Sequence, residues 1–199
     1  AEDGSGVTVN TEDGQSLRAD YLLVAIGRGP NTANMGYEAQ GIPMDRGFVL
    51  ANERLHTGVG NIYAVGDIVP GLQLAHRATM QGVFVAEEIA GLNPRVVPND
   101  NIPRVTFCEP EIASVGLTEA KAKEVYGADN VISKQSNMLG NAKSQMLKAA
   151  GFVKLVQVKD GPIVGFHALG QRIGEQIGEG QLIVNWEADA EDLAYLMHT

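Results

Sequence analysis

The residues best suited to chemistry follow a short apolar run, residues 62–65, which stops at Gly66-Asp67. A Pro-Gly turn comes next, and then a helical pattern over about residues 74–90, closed by Gly91. The unbroken apolar run predicts a strand that is buried on both faces of a parallel sheet. An acid at the carboxyl end of such a strand lies where open α/β sheets bind their ligands.

Two chemical capacities meet at this turn. The Asp67 carboxylate suits the hydroxyls of a sugar or ribityl chain, and the start of the following helix favours negative charge because its first N–H groups are unpaired. The alternative is an ordinary strand-turn-helix unit with an acidic turn residue, and spacing alone does not separate the two. His76 could act as an acid-base group, but we expect a histidine that nearby backbone groups satisfy.

A second glycine ends an earlier apolar stretch. Residues 6–10 and 17–26 are predicted to form two strands joined by a turn at residues 12–14. The second strand is continuously apolar over residues 21–26, which predicts a central position in a sheet. Gly27 follows it and would allow a ligand to approach the backbone closely. The alternative, which the spacing favours, is a plain strand-ending glycine.

The pattern changes after a proline-rich connection at residues 91–103. Beyond it we predict a helix that begins after Thr118 and ends at Gly127, and two further helices at about residues 174–187 and 190–198. The accompanying strands are predicted at residues 104–107, 112–116, 131–135, 151–158 and 162–169. Antiparallel strands with segregated helices indicate an α+β domain.

The helix predicted over residues 174–187 is apolar on nearly every side. One face carries Ile173, Ile177, Gly180 and Val184, and much of the opposite side is made apolar by Leu182, Ile183 and Trp186. Such a helix is buried on more than one side, which predicts a two-fold symmetric interface between two copies. The alternative is burial between a sheet and a neighbouring helix within one subunit.

Composition narrows the function classes. The net charge of −9 argues against a nucleic-acid-binding surface, and without a run of 18 apolar residues we expect no membrane span. The single cysteine, Cys108, excludes an internal disulfide framework and favours a reducing, cytoplasmic compartment. The four histidines have neither the spacing nor the cysteine partners of a zinc cluster, so no metal site is expected.

The literal sequence of the turn carries a resemblance. Residues 61–67, Asn-Ile-Tyr-Ala-Val-Gly-Asp, with residues 73–78, Gln-Leu-Ala-His-Arg-Ala, resemble the second flavin-binding signature of the pyridine-nucleotide–disulfide oxidoreductases. The resemblance implies that Gly66 and Asp67 bind FAD, with Asp67 on its ribityl chain. It also implies that a backbone segment lies against the flavin end, formed by Gln73, Leu74, Ala75 and His76.

The resemblance covers nearly the whole chain. Residues 25–32 resemble the family's crossing out of the NAD domain, which implies that Gly27 contacts NAD, and residues 102–119 resemble the entry to its dimerisation domain. The implied fold is an α/β flavin-domain portion followed by an α+β dimerisation (interface) domain. Residues 1–27 would end the NAD-binding domain, residues 28–100 would form the C-terminal part of the FAD-binding domain, and residues 101–199 a truncated interface domain.

Within the family, residues 142–144 and 179–188 look most like the dihydrolipoamide dehydrogenase branch, particularly its actinobacterial forms. The resemblance implies a homodimer that takes electrons from the lipoyl-bearing acyltransferase of a 2-oxoacid dehydrogenase complex and passes them through a disulfide and FAD to NAD. One alternative is a sibling reductase acting on glutathione, mercuric ion or another disulfide. Another is a dimerisation module without its own cofactor affinity.

We expect no catalytic residue in this chain. The family's redox cysteines form a C-x-x-x-x-C motif upstream of anything here, so Cys108 is interpreted as a small filler or a surface thiol. The family's acid-base histidine is the second of two histidines separated by one residue, and His198 matches the first, non-catalytic one. The chain begins without Met and ends within a helical pattern, so we expect a fragment that is inactive alone.

Overall fold

The computed structural model describes residues 4–96 and 98–197, and its elements fall into two groups along the chain. The first group contains the hairpin of Val7–Asn10 (β1) and Ser16–Ala19 (β2), the pair Met44–Asp45 (β3) and Phe48–Val49 (β4), and the helix Ala75–Ile89 (α1). The second group has five strands and four helices: Arg104–Thr106 (β5), Glu111–Gly116 (β6), Glu119–Tyr126 (α2), Val131–Asn137 (β7), Ala142–Leu147 (α3), Phe152–Val158 (β8), Ile163–Gly170 (β9), Ile177–Asn185 (α4) and Ala190–Ala194 (α5).

The second group is built on one antiparallel sheet with the strand order β5-β6-β9-β8-β7. Helix α4 packs over β6 and β9, and the main core lies between them, with Val115, Phe166 and Ile183 buried. Helix α2 packs against β7 and β8. It lies on the opposite face, because it contacts Lys154, which alternates along β8 with core-facing Leu155. The predicted α+β organisation is confirmed.

Local signals explain where the elements of the second group begin and end. The Thr118 hydroxyl accepts a hydrogen bond from the Lys121 N–H at 3.2 Å, which caps α2, and Gly127 at φ +88° ends it. Asp189 forms a capping box with Asp192 at the start of α5. These caps satisfy N–H groups that a helix leaves unpaired.

Helix α4 differs in detail from its prediction. A 3-10 turn, Ile173–Gln176, precedes it, and α4 itself ends at Asn185. Its inner face is buried on the sheet and includes Ile183, which the sequence placed on the opposite side. Leu182 is 48% exposed and Trp186 76% exposed. The outer apolar face therefore has no cover within the described residues. The last predicted helix is shorter than expected, ending at Ala194, and His198 lies outside the described residues.

Two strand predictions in the first group are wrong. Strand β2 ends at Ala19, and residues 21–26 form no strand and are exposed, with Ile26 95% exposed. Residues 62–65 make only one isolated bridge, between His56 and Tyr63, and Ile62 is 37% exposed. A strand buried on both faces needs neighbouring strands on both sides, and the residues that the structure describes supply none for either segment.

The segments before helix α1 hold a smaller core. Ile42, Val49, Ala64 and Val69 pack together, and Phe84 of α1 is buried. Near the C-terminal end of α1, Arg54 donates to both carboxylate oxygens of Glu88 and lies over the Phe84 ring. Within the described ranges, no helix combines the length and apolarity needed to cross a membrane.

A carboxylate shared by two lysines should make the five-stranded sheet and its helix α2 sensitive to acid. Glu119 accepts from Lys123 and from Lys154, each at 2.5 Å, which joins α2 to β8. These hydrogen bonds lower the pKa of Glu119 from 4.5 to about 2. Because the folded pKa lies below the unfolded value, the stabilisation is complete above about pH 4.5 and is lost as the pH falls toward 2.

We therefore expect Glu119→Gln to lower the free energy of unfolding at neutral pH and to flatten its decline between pH 4.5 and 2, the window of the Glu119 titration. Urea unfolding at a series of pH values measures both effects. The matched control is Glu124→Gln on the same helix, whose pair with Lys121 is exposed and should contribute little. Equal pH profiles for the two variants would contradict the assignment.

Candidate functional site

The turn that precedes α1 is a 3-10 turn, Gly66–Ile68. Gly66 is buried and has φ +78°, a conformation that glycine adopts without strain. The chain then passes Pro70 and Gly71 and enters α1 at Ala75. The predicted order of glycine, acid, Pro-Gly turn and helix is confirmed, although the preceding strand is not.

Asp67 points its carboxylate toward solvent from the middle of this turn. The side chain is exposed and accepts no hydrogen bond from any residue that the structure describes, while its backbone carbonyl accepts from Gln73 at 3.4 Å. A free carboxylate held at a rigid turn is an acceptor for hydroxyl groups. The geometry thus fits a polyol chain lying across the turn.

The start of α1 has no protein cap. Leu74 is the N-cap residue, its side chain makes no capping hydrogen bond, and the first turn contains no acid. Ala75 and His76 are exposed there. The first N–H groups of the helix are consequently available to an electronegative group of a ligand, and the helix dipole favours such a group.

His76 has a backbone partner. Its Nε2 donates to the Pro103 carbonyl at 2.8 Å, which is the donor arrangement because a carbonyl can only accept. The bond joins the start of α1 to the residue before β5. This contact supports the expectation that backbone groups satisfy His76. It also links the start of α1 to the five-stranded sheet.

Gly27 lies apart in the irregular segment after β2. Its φ is +126°, it is exposed, and a Cβ there would meet no atom within 4 Å. The conformation requires glycine, and the open space would admit a ligand against the backbone. The described residues offer no partner that fixes which ligand this is, so the NAD contact stays a prediction.

Two residues that the sequence did not single out hold the Asp67 turn in place. The Arg77 guanidinium donates to the carbonyls of Pro70 and Leu72, and the Gln81 carboxamide accepts from the Gly66 N–H. Burial lowers the pKa of Arg77, an effect that the nearby charge of Asp67 partly offsets. The available signal was a pair of polar residues four positions apart on a helix face that also carries Leu74 and Phe84.

The remaining candidate for redox or metal chemistry is isolated. Cys108 is exposed, and its thiol donates to the Pro110 carbonyl at 3.1 Å. Among the described residues, no three His, Cys, Asp or Glu side chains gather as metal ligands would. Within the described residues, the hydrogen-bond partners of the Cys108 thiol are therefore backbone carbonyls.

A largely apolar cavity of about 800 Å³ lies between α1 on one side and β5 and α4 on the other. Leu74, Met80 and Phe84 line it from α1, and Val105 and Ile177 from the opposite side. The Asp67 turn lies at the same end of α1 as Leu74, so the turn, the helix start and this cavity form one continuous region.

Comparison with known proteins identifies the family of the chain. Residues 1–82 match the sequence model described as pyridine nucleotide-disulphide oxidoreductase, and residues 102–199 match that of the pyridine nucleotide-disulphide oxidoreductase dimerisation domain. The dihydrolipoyl dehydrogenase of Bacillus subtilis is 41% identical over 198 residues, which are 97% of this chain and 42% of that protein. That of Mycobacterium tuberculosis is 41% identical over 206 residues, covering 100% of this chain and 44% of that protein.

Solved structures give the same result. LpdA from Mycobacterium tuberculosis superposes with a TM-score of 0.86 at 27% identity, over 98% of this chain and 43% of that one. RclA from Escherichia coli, an HOCl-induced flavoprotein disulfide reductase, gives 0.84 at 27% identity, over 98% and 45%. The chain spans less than half the length of these relatives. It belongs to the pyridine nucleotide-disulphide oxidoreductase family and is about 41% identical to dihydrolipoyl dehydrogenases along nearly its whole length.

Proposed function

We propose that this chain is part of a dihydrolipoyl dehydrogenase, the flavoprotein that reoxidises dihydrolipoamide with NAD. The observation that carries the proposal is the free Asp67 carboxylate beside the uncapped start of α1, in a chain of this family. The carboxylate and the helix start present an acceptor and donors side by side, as a cofactor with a polyol chain and a polar ring edge requires.

Each residue has a defined part in holding FAD. Asp67 accepts from the hydroxyls of the ribityl chain, and Gly66 lets the backbone turn beneath it. The segment of Gln73, Leu74, Ala75 and His76 lies against the flavin, to which the first N–H groups of α1 donate. Bound FAD supplies electron transfer between a redox disulfide and NAD, and Gly27 contacts the nicotinamide nucleotide.

The proposal extends to the assembly, partner and location of the whole protein. The protein acts as a homodimer through residues 101–199, accepts electrons from the lipoyl-bearing acyltransferase of a 2-oxoacid dehydrogenase complex, and works in the cytoplasm. The exposed apolar face of α4, formed by Leu182 and Trp186, supports the dimer, because such a surface is typical of the centre of an interface.

A second candidate is another disulfide reductase of the same family. The similarity to RclA, at a TM-score of 0.84, favours it as strongly at the level of fold. A substrate panel separates the two in a chimera, in which this chain replaces the matched residues of the Bacillus subtilis relative. Dihydrolipoamide should be the preferred thiol, and preference for glutathione or another substrate would favour the alternative.

The first prediction from this function concerns Asp67. In the chimera, Asp67→Ala should weaken FAD binding by about 1.5–3 kcal/mol, roughly 10- to 150-fold, because a hydrogen bond to a charged acceptor is lost. Flavin fluorescence after dialysis against graded FAD measures the dissociation constant. Asp45→Ala, at an exposed acid at the end of β3, is the control. Unchanged FAD affinity in the Asp67 variant would refute its role.

We also expect the 199-residue chain alone to be inactive. A disulfide needs two cysteines, and Cys108 is the single one in the chain. Loss of groups that act together is not recovered by the remaining binding residues. NAD reduction by dihydrolipoamide should stay at background with or without added FAD, measured on protein verified by mass. Turnover near that of an intact relative would mean that the chemistry does not use the family's disulfide.

The last prediction here tests the dimer. Leu182→Lys and Trp186→Glu place charge on the outer face of α4 and should raise the dimer dissociation constant at least tenfold, since a buried unpaired charge costs several kcal/mol. Sedimentation velocity over a concentration series measures it. Ile89→Lys, at an exposed apolar position on α1, is the control and should leave association unchanged. A wild-type chain that remains monomeric at high concentration would contradict the interface.

A further inference from the structure

We propose that Arg77 and Gln81 are positioning residues that fix the Gly66–Asp67 turn and so aim the Asp67 carboxylate at its ligand. The inference rests on the proposed role of Asp67 in binding FAD. Its starting point is that the Asp67 side chain is exposed and has no hydrogen-bond partner among the described residues. The direction of the carboxylate is therefore set by the backbone beneath it, and whatever holds that backbone determines the aim.

The backbone on both sides of the turn is held by the helix that follows. Gly66 donates its N–H to the Gln81 Oε1 at 2.7 Å, and its carbonyl lies 3.5 Å from the Arg77 Nη1. Arg77 also donates to the Leu72 carbonyl at 2.9 Å and to the Pro70 carbonyl at 2.6 Å. Both the residue before Asp67 and the loop after it are thus tied to α1.

Arg77 and Gln81 reach the same turn because they are four residues apart on α1. The guanidinium is a rigid planar group with five donors, and it bridges three carbonyls that face it from different directions. Lysine offers a point charge on a flexible stem and cannot reproduce this set of bonds.

The burial of Arg77 indicates that the arrangement is specific. Its exposure is only 5%, and burying a cation is costly unless hydrogen bonds compensate for the lost water. Its Nε has no partner among the described residues, so the carbonyl contacts are what hold the group. The loop also closes tightly on it, because a Cβ at Gly71, whose φ is +122°, would lie 2.7 Å from Nη2.

The contacts of Arg77 and Gln81 with residues 66–72 are called the clamp below. Hydrogen exchange of the isolated 199-residue chain tests the clamp without any flavin. Arg77→Lys and Gln81→Leu should each raise amide exchange over residues 66–74 roughly tenfold, because a buried hydrogen bond that protects the turn is lost. Arg54→Lys is the matched control, since Arg54 is also partly buried against α1 but binds Glu88 and Pro94. Amide exchange over residues 66–74 should be unchanged in this control variant. Equal exchange in all variants overturns the clamp, whatever the chain binds.

A double-mutant cycle in the chimera tests whether the clamp acts through Asp67. Arg77→Lys alone should weaken FAD binding about tenfold, whereas in the Asp67→Ala background it should have little further effect, because the aimed group is gone. Additive losses would show that Arg77 acts on the ligand by another route and would overturn the inference. If Asp67→Ala itself leaves FAD affinity unchanged, the proposed function of the site fails, and the exchange result still decides the clamp.

Discussion

A chain that leaves an apolar run through a left-handed glycine must find partners for its backbone groups, because neither a strand nor a helix supplies them at the turn. At the Gly66–Asp67 turn the partners are side chains of the helix that follows: Arg77 for the carbonyls and Gln81 for the Gly66 N–H. The order of the turn thus depends on α1 being formed. Asp67 needs no protein partner of its own, which leaves its carboxylate free for a ligand.

The Gly66–Asp67 turn and the start of α1 are packed together with the five-stranded sheet. His76 donates to the Pro103 carbonyl at 2.8 Å, and Asn101 donates to the Asn185 side chain at 3.1 Å, so the region before β5 is bonded to both α1 and α4. The cavity between α1 and β5 is bounded by the same contacts. Within the described residues, the start of α1 and the dimerisation portion form one continuous packed structure.

The parts that sequence predicted well are those with local causes. Thr118 and Gly127 bound α2, and the turn at residues 159–161 joins β8 to β9, as their residue types require. The Gly66–Asp67 turn and α1 were predicted equally well from local sequence signals. Residues 21–26 and 62–65 were mispredicted because apolarity reports a tendency to be buried, whereas a strand also needs neighbours to pair with. Arg77 and Gln81 were missed because their role depends on the distance to a loop earlier in the chain, which periodicity does not encode.

The exposed segment at residues 21–26 has a further consequence for this polypeptide in solution. It reads Tyr-Leu-Leu-Val-Ala-Ile, without charge or proline, and its backbone is not paired in a sheet. Six-residue stretches of this composition are templates for cross-β stacking when they are accessible. We therefore expect the isolated chain to offer two chemically different surfaces for self-association: the proposed interface on the outer face of α4, which would close into pairs, and this apolar segment, which would add further copies without closure.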